Sequence, residues 1–215
     1  MTSILKADTI QDAAGNNIIK EASDVITIGA SGDTITIPSG ATLSNLGTAT
    51  GFGKIGQVVS TTKTDTFSTS SLGGNTAIDV TGLSVDITPS ATSSKVFCVY
   101  YVNGCNSDGG RQPNFGIRLR RDSTDISLAD AAGSRGRTTS VMCFNTNDDD
   151  NAQTNIAGNF LDSPSSTSAL SYKIQLYNIS DGSKDMYVNR TYGDADDDNF
   201  RPRATSTITV MEVLA

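Results

Sequence analysis

The sequence predicts an all-β protein in two parts: a short N-terminal β-stalk segment with nine-residue repeats, then an antiparallel β-sandwich or jelly-roll head. Three observations predict it. Gly, Ser, Thr, Asn and Asp crowd the 215 residues while Trp and His are absent, which is the composition of short strands joined by turns. No long stretch repeats its apolar residues at helical spacing. Residues 23–41, SDVITIGASGDTITIPSGA, say nearly the same thing twice, so that Asp24, Ile26, Thr27 and Ile28 fall on Asp33, Ile35, Thr36 and Ile37.

Within that repeat VITI and TITI read as β-branched strands, and the Gly, Ser, Asp and Pro residues between them read as turns. Pro38 cannot donate a ladder hydrogen bond and so belongs just after a strand. A period this short marks a stack of β-layers, which generally needs about three or more repeats to bury its apolar face. Two are present, so the missing neighbours are expected from other copies of the chain, with Ile26, Ile28, Ile35, Ile37 and Leu43 closing a shared core around a symmetry axis.

Four glycines, Gly47, Gly51, Gly53 and Gly56, then make a hinge. The chain divides there into residues 1–53 and 54–215. The glycines do not make a phosphate loop, because no Gly-Lys-Ser/Thr ending follows and the next segment, GQVVSTTKTDTFS, is strand-like. Beyond the hinge LSVDITP, SKVFCVYYV, FGIRLRR, TTSVMCF, LSYKIQLYN, KDMYVNR and STITVMEVLA read as strands. YNISDGSKDMY reads as a hairpin turning at Asp181 and Gly182, with Tyr172, Ile174 and Leu176 on one face of its first strand. The apolar C-terminal residues are expected inside a sheet.

A net charge of −7 argues against a nucleic-acid or anionic-membrane binder, since phosphate neutralisation needs surplus Lys and Arg. No apolar run approaches the roughly 20 residues that cross a bilayer, and MTSILKADTIQD lacks a signal-peptide core. Cys98, Cys105 and Cys143 make no CxxC spacing and read as reduced, structural thiols, in keeping with assembly in a cytoplasm. Without His there is no Ser-His or Cys-His nucleophile and no usual metal ligand. The many Asp residues sit in polar loops rather than at the ends of apolar strands, so no enzymatic site is expected.

The acidic runs NTNDDDN (145–151) and GDADDDN (193–199) invite a calcium reading. Asp194, Asp196 and Asp198 have the alternate spacing of an EF-hand loop, but Asn199 stands where Gly is required and Thr205 where the bidentate Glu belongs. The runs therefore read as solvated loop tips, with a weak structural calcium as the alternative and no cofactor expected. Arg118 and Arg120 share the outward face of a strand, and Arg201 and Arg203 make another pair. They are either salt-bridge partners or a sugar- or phosphate-binding surface. The sequons at Asn178 and Asn189 lie in or beside strands and read as chance.

Taken in order, SILKADTIQDAAGNNIIKE, DTITIPSGATLSNLGTATGFGK, TGLSVDITPSATSSKV, NFLDSPSSTSALSYKIQL and STITVMEVLA resemble the fibre proteins of marine tailed phages, cyanophages among them. The resemblance covers nearly the whole chain. It implies a homotrimeric virion component, non-enzymatic and assembled in the host cytoplasm. Residues 3–20 would dock to another virion protein, residues 23–50 would form an intertwined stalk, and residues 54–215 would be the head. It also implies recognition of a host-surface glycan or protein by head loops, without membrane insertion or nucleic-acid binding. The loops expected to do this are 103–114, 145–155 and 192–203, with Arg111, Asn147, Asp149, Tyr192, Asp196, Asp197, Asp198 and Arg201 as contact residues. The alternatives are a structural head fibre, decoration or neck protein that binds no receptor, and a polysaccharide depolymerase.

Overall fold

A computed structural model describes residues 9–11, 13–15, 17–23, 25–29, 32–41, 54–107, 115–142, 151, 153–196 and 199–214. The described residues are all β, and the strands pair antiparallel throughout. No helix among them is long and apolar enough to cross a membrane. The chain separates into two units, Met1–Thr50 and Gly51–Ala215.

The first unit holds a three-stranded meander of β1 (Thr9–Gln11), β2 (Asn17–Ala22) and β3 (Val25–Ile28). Ile10 faces Ile19 and Ile19 faces Ile28, so an apolar row crosses all three strands, and Ile26 shares its face. All four side chains are exposed in the single chain. VITI is β3, as its β-branched pattern predicts. The second statement of the phrase departs from expectation: Thr34–Ile37 lies outside any strand, with Ile35 and Ile37 exposed. Every residue of β3 is itself exposed, so pairing this segment onto it would leave Ile35 and Ile37 largely in water, and a hairpin extension with so little burial is marginal. The nine-residue sequence repeat is therefore not a structural repeat here, and Leu43 lies outside the described residues.

The second unit is a sandwich of two sheets. One contains β6 (Ala77–Ile87), β12 (Leu170–Asn178) and β8 (Phe115–Arg121), with β9 (Thr124–Ile126) and β10 (Ser140–Met142) end to end along the far edge of β8. The other is built on β7 (Lys95–Asn106). β11 (Thr154–Asp162) lies on one side of β7, and β14 (Ser206–Val213) and β13 (Lys184–Val188) lie end to end on the other. Outside these, β4 (Ile55–Lys63) pairs with β14 and β5 (Phe67–Leu72) with β13. Each sheet thus reduces to four lanes. Alternate residues of both meet in one core, including Leu83, Val96, Phe115, Ile117, Ile174 and Ile208.

β8 and β12 have the limits their alternation predicts, Tyr172, Ile174 and Leu176 are fully buried, and the C-terminal strand is an inner lane. The expected hairpin at Asp181-Gly182 does not form. Both edges of β12 are occupied, by β6 and β8, so the chain crosses to the opposite sheet as β13. The buried Asn178 organises that crossing. Its amide donates to Leu72 O (2.7 Å) and Gly182 O (2.8 Å) and accepts from Ser180 N (3.0 Å).

Candidate recognition surface

The feature that departs most from a plain sandwich is residues 189–205. β13 and β14 run in one direction along β7, Val188 opposite Gly104 and Thr207 opposite Tyr101, and the chain leaves the lane between them. The neck of this excursion is closed by polar side chains. Asn189 sits at φ 62, a left-handed conformation that Asn tolerates. Its amide donates to Lys63 O and Asp65 O, both at 2.9 Å, and its oxygen accepts from Ser206 Oγ at 2.7 Å. Opposite the break, Asn103 O accepts from Asn189 N (3.0 Å), Asn103 Nδ2 donates to Thr205 O (2.6 Å) and Asn103 N donates to Ser206 Oγ (3.0 Å).

Past the neck the loop folds back over the outer face of its own sheet. The Arg190 guanidinium lies 4.6 Å from the centre of the Tyr187 ring, and the Tyr192 ring lies 5.8 Å from that of Tyr187, tilted by 44°. Arg190 O accepts from the Cys105 thiol at 3.3 Å. Tyr187 and Cys105 are buried in consequence. Burial, with the Asp185 carboxylate nearby, pushes the Tyr187 hydroxyl up to about 12, and burial pushes the Cys105 thiol up to about 12. Asp194 bridges Arg190 (3.3 Å) and Arg203 (2.8 Å), which ties the outgoing and returning arms of the loop.

Among the residues expected to recognise a ligand, Tyr192, Asp196 and Arg201 lie on this excursion. Tyr192 is 39% exposed and Asp196 points outward, 3.9 Å from Arg203. Arg201 Nε donates to Asn151 Oδ1 (2.8 Å), and Gln153 Nε2 donates to Pro202 O (3.2 Å), so the segment around 151–153 is fastened beside the excursion. Portions of all three expected loops are brought together here. Arg111, Asn147, Asp149, Asp197 and Asp198 lie outside the described residues.

The loop also carries Phe200, 75% exposed. Sequence reasoning missed Arg190, Asn189 and Asn103 as supports, and nothing in their spacing announces that a loop will fold back over the strand before it. The asparagines of the two sequons, Asn178 and Asn189, are both fully buried.

As a cation site the loop is ill suited, because Asp194 is engaged by two arginines. Among the described residues no group of three or more acidic or thiol side chains is placed to hold a metal ion. Two arginines of the five-stranded sheet are also held internally. Arg118 and Arg120 both reach Asp125 at 3.2 Å, and Arg118 lies 3.9 Å over the Tyr177 ring. What the excursion offers chemically is two exposed aromatic side chains, Tyr192 and Phe200, together with the acidic and basic groups of Asp194, Asp196 and Arg203.

No protein-family model matches the chain, and no curated protein matches it. Among solved structures it is similar to VP2 in the crystal structure of the infectious bursal disease virus VP2 subviral particle. The identity is 15% and the TM-score 0.32, and the match covers 74% of this chain and 38% of that one.

Proposed function

We propose that the chain is a virion fibre protein without enzymatic activity, a homotrimer that attaches to the particle by its N-terminal segment and recognises the host surface with its head. The observation that carries the recognition role is the excursion at 189–205. Recognition residues concentrate on loops held by a rigid scaffold, and this loop leaves an inner lane through a closed polar neck with Tyr192 and Phe200 exposed. The exposed row of Ile10, Ile19 and Ile28 supports assembly with other copies, since a single chain leaves that face uncovered. The sequence resemblance to marine phage fibres supplies the setting, and copies acting together multiply individually weak loop contacts.

The test is binding of the labelled full-length protein to cultured marine cyanobacterial cells, for wild type and for Tyr192→Ala with Phe200→Ala. Binding by the wild type that the double variant loses, with an unchanged thermal midpoint, supports the assignment. Loss after periodate treatment of the cells identifies a glycan, and loss after protease identifies a protein. A wild-type chain that ignores a broad panel of cells favours the structural reading, which the internal pairing of Arg190, Asp194 and Arg203 also fits.

A further inference from the structure

The two outer faces of the sandwich differ in kind. On the five-stranded sheet the outward face is rich in charged side chains that pair within the chain, with an exposed apolar side chain, Val141, at the edge opposite Gly116. Lys173 pairs with Asp79 at 2.6 Å, Arg118 and Arg120 share Asp125, and Gly136 lies against the Tyr177 ring. On the other sheet one apolar row runs across all four lanes: Val58 faces Met211, Met211 faces Phe97 and Phe97 faces Leu161. Val99 and Tyr101 continue it along β7. Val58 is 57%, Leu161 44%, Tyr101 40% and Val99 37% exposed.

The polar groups between them are hydroxyls and amides, and two of these already satisfy each other, Ser60 Oγ with Thr209 Oγ1 at 2.7 Å. Over β4, β14, β11 and Lys95–Tyr101 of β7, one outward position is charged, Lys95 at a corner. The excursion covers the end of the sheet beyond Asn103 and leaves this part bare.

We infer that this face docks a second copy of the same chain, so that in the trimer proposed above the three heads turn their four-lane faces toward the common axis. Charge selects the occupant. Copies that each carry a net charge of −7 approach with least repulsion where neither bears charge, and this face is the uncharged one. Size agrees. Strand and residue spacings make the four lanes about 19 Å wide and four outward rows about 27 Å long, roughly 500 Å² per copy. Two such faces stacked on each other bury about 1,000 Å², the lower bound for a specific interface, and three faces around an axis enclose up to about 1,500 Å² in all, divided among three contacts. The inference deepens the trimer reading but rests on a different surface from the exposed isoleucines of the first unit.

The test compares the full-length protein with Val99→Lys and Leu161→Lys, which alter exposed side chains, and with Ile26→Asp/Ile35→Asp. Light scattering at about 100 µM is expected to give a multiple of the chain mass that falls in both face variants, while their thermal midpoints match that of the wild type when all are compared at a dilution where the wild type is itself dissociated. As a second reading, maleimide labelling of Val99→Cys is expected to be at least about tenfold slower than that of Ser84→Cys on the opposite outer face, about 1.4 kcal/mol of protection. A wild-type monomer, face variants of unchanged mass, or equal labelling rates would overturn the docking. A dimer lost on Val99→Lys keeps the docking and removes the trimer. An assembly that survives Ile26→Asp/Ile35→Asp but not Val99→Lys keeps the face and removes the stalk role. A monomer whose cell binding is lost in Val99→Lys assigns the face to a host partner and overturns the inference.

Discussion

Glu212 and Asn189 are polar side chains the core could not exclude, and each is satisfied from several directions. Burial alone would push the Glu212 carboxyl up, but hydrogen bonds from Ser90 N and Oγ (2.6 Å each) and Gln57 Nε2 (2.8 Å) outweigh it and hold the group at about 2. Its folded value is depressed below the ordinary 4.5. The stabilisation is therefore present above about pH 4.5 and is lost as pH falls toward 2, on the order of 3 kcal/mol in all. Glu212→Gln should be less stable than wild type at pH 7 and should flatten this acid limb, as measured by urea denaturation across pH 2–6. Asn189→Ala should cost about 3 kcal/mol, because two carbonyls and a hydroxyl lose their partner in a buried site. Asn189→Gly should be milder by about 1 kcal/mol, since glycine accepts the positive φ without strain. Equal losses for the two variants would mean that the backbone conformation contributes nothing.

At the scale of elements, the segments legible from sequence are those whose own alternation matches their burial. FGIRLRR and LSYKIQLYN become β8 and β12 with no residue gained or lost, because their apolar positions fall on one face and each lies between two neighbours. β11 was not legible. Its TNIAGNFLD contains Gly and Asn, poor strand formers, and it exists because β7 offers a full-length edge. Gly158 shows what that pairing demands, for a β-carbon there would collide with the Tyr100 hydroxyl and ring. Gly158→Ala should cost about 1–3 kcal/mol, and the same change in a Tyr100→Val background should cost clearly less, a coupling that a double-mutant cycle by thermal denaturation would read. The hairpin expected at Asp181 was misjudged for a reason outside its own residues, since edge occupancy is decided by distant strands. The same limit applies to the site. Tyr192 and Arg201 could be named from loop composition, whereas Arg190 acts through a ring on the preceding strand and Asn103 from across the sheet.

On the scale of the whole molecule, the core is confined to the sandwich, and the first unit leaves its apolar row exposed. The head should therefore fold without residues 1–53. A chain beginning at Lys54 should keep a cooperative thermal transition close to that of the full-length protein while assembling more weakly, by light scattering over a dilution series. An unchanged association constant would place all of the assembly energy in the head. Added salt should shift the midpoint of either form little, because the ion pairs of the five-stranded face lie near solvent and each contributes about 0–1 kcal/mol.

The interrupted lane has a consequence for how such a molecule changes over generations. β13 and β14 keep their register because each is held by β7 and by its own outer neighbour, and the knot of Asn189, Asn103 and Ser206 seals the gap between them. Between those anchors the chain is a cassette. Lengthening a loop whose ends are already pinned costs only about 0.6 kcal/mol per doubling, so the residues between Asp194 and Arg203 can be exchanged while the brace of Arg190, Asp194 and Arg203 and the sheet beneath stay as they are. A lineage under pressure to meet new surfaces would then rewrite one paragraph of its sequence and leave the grammar of the fold untouched.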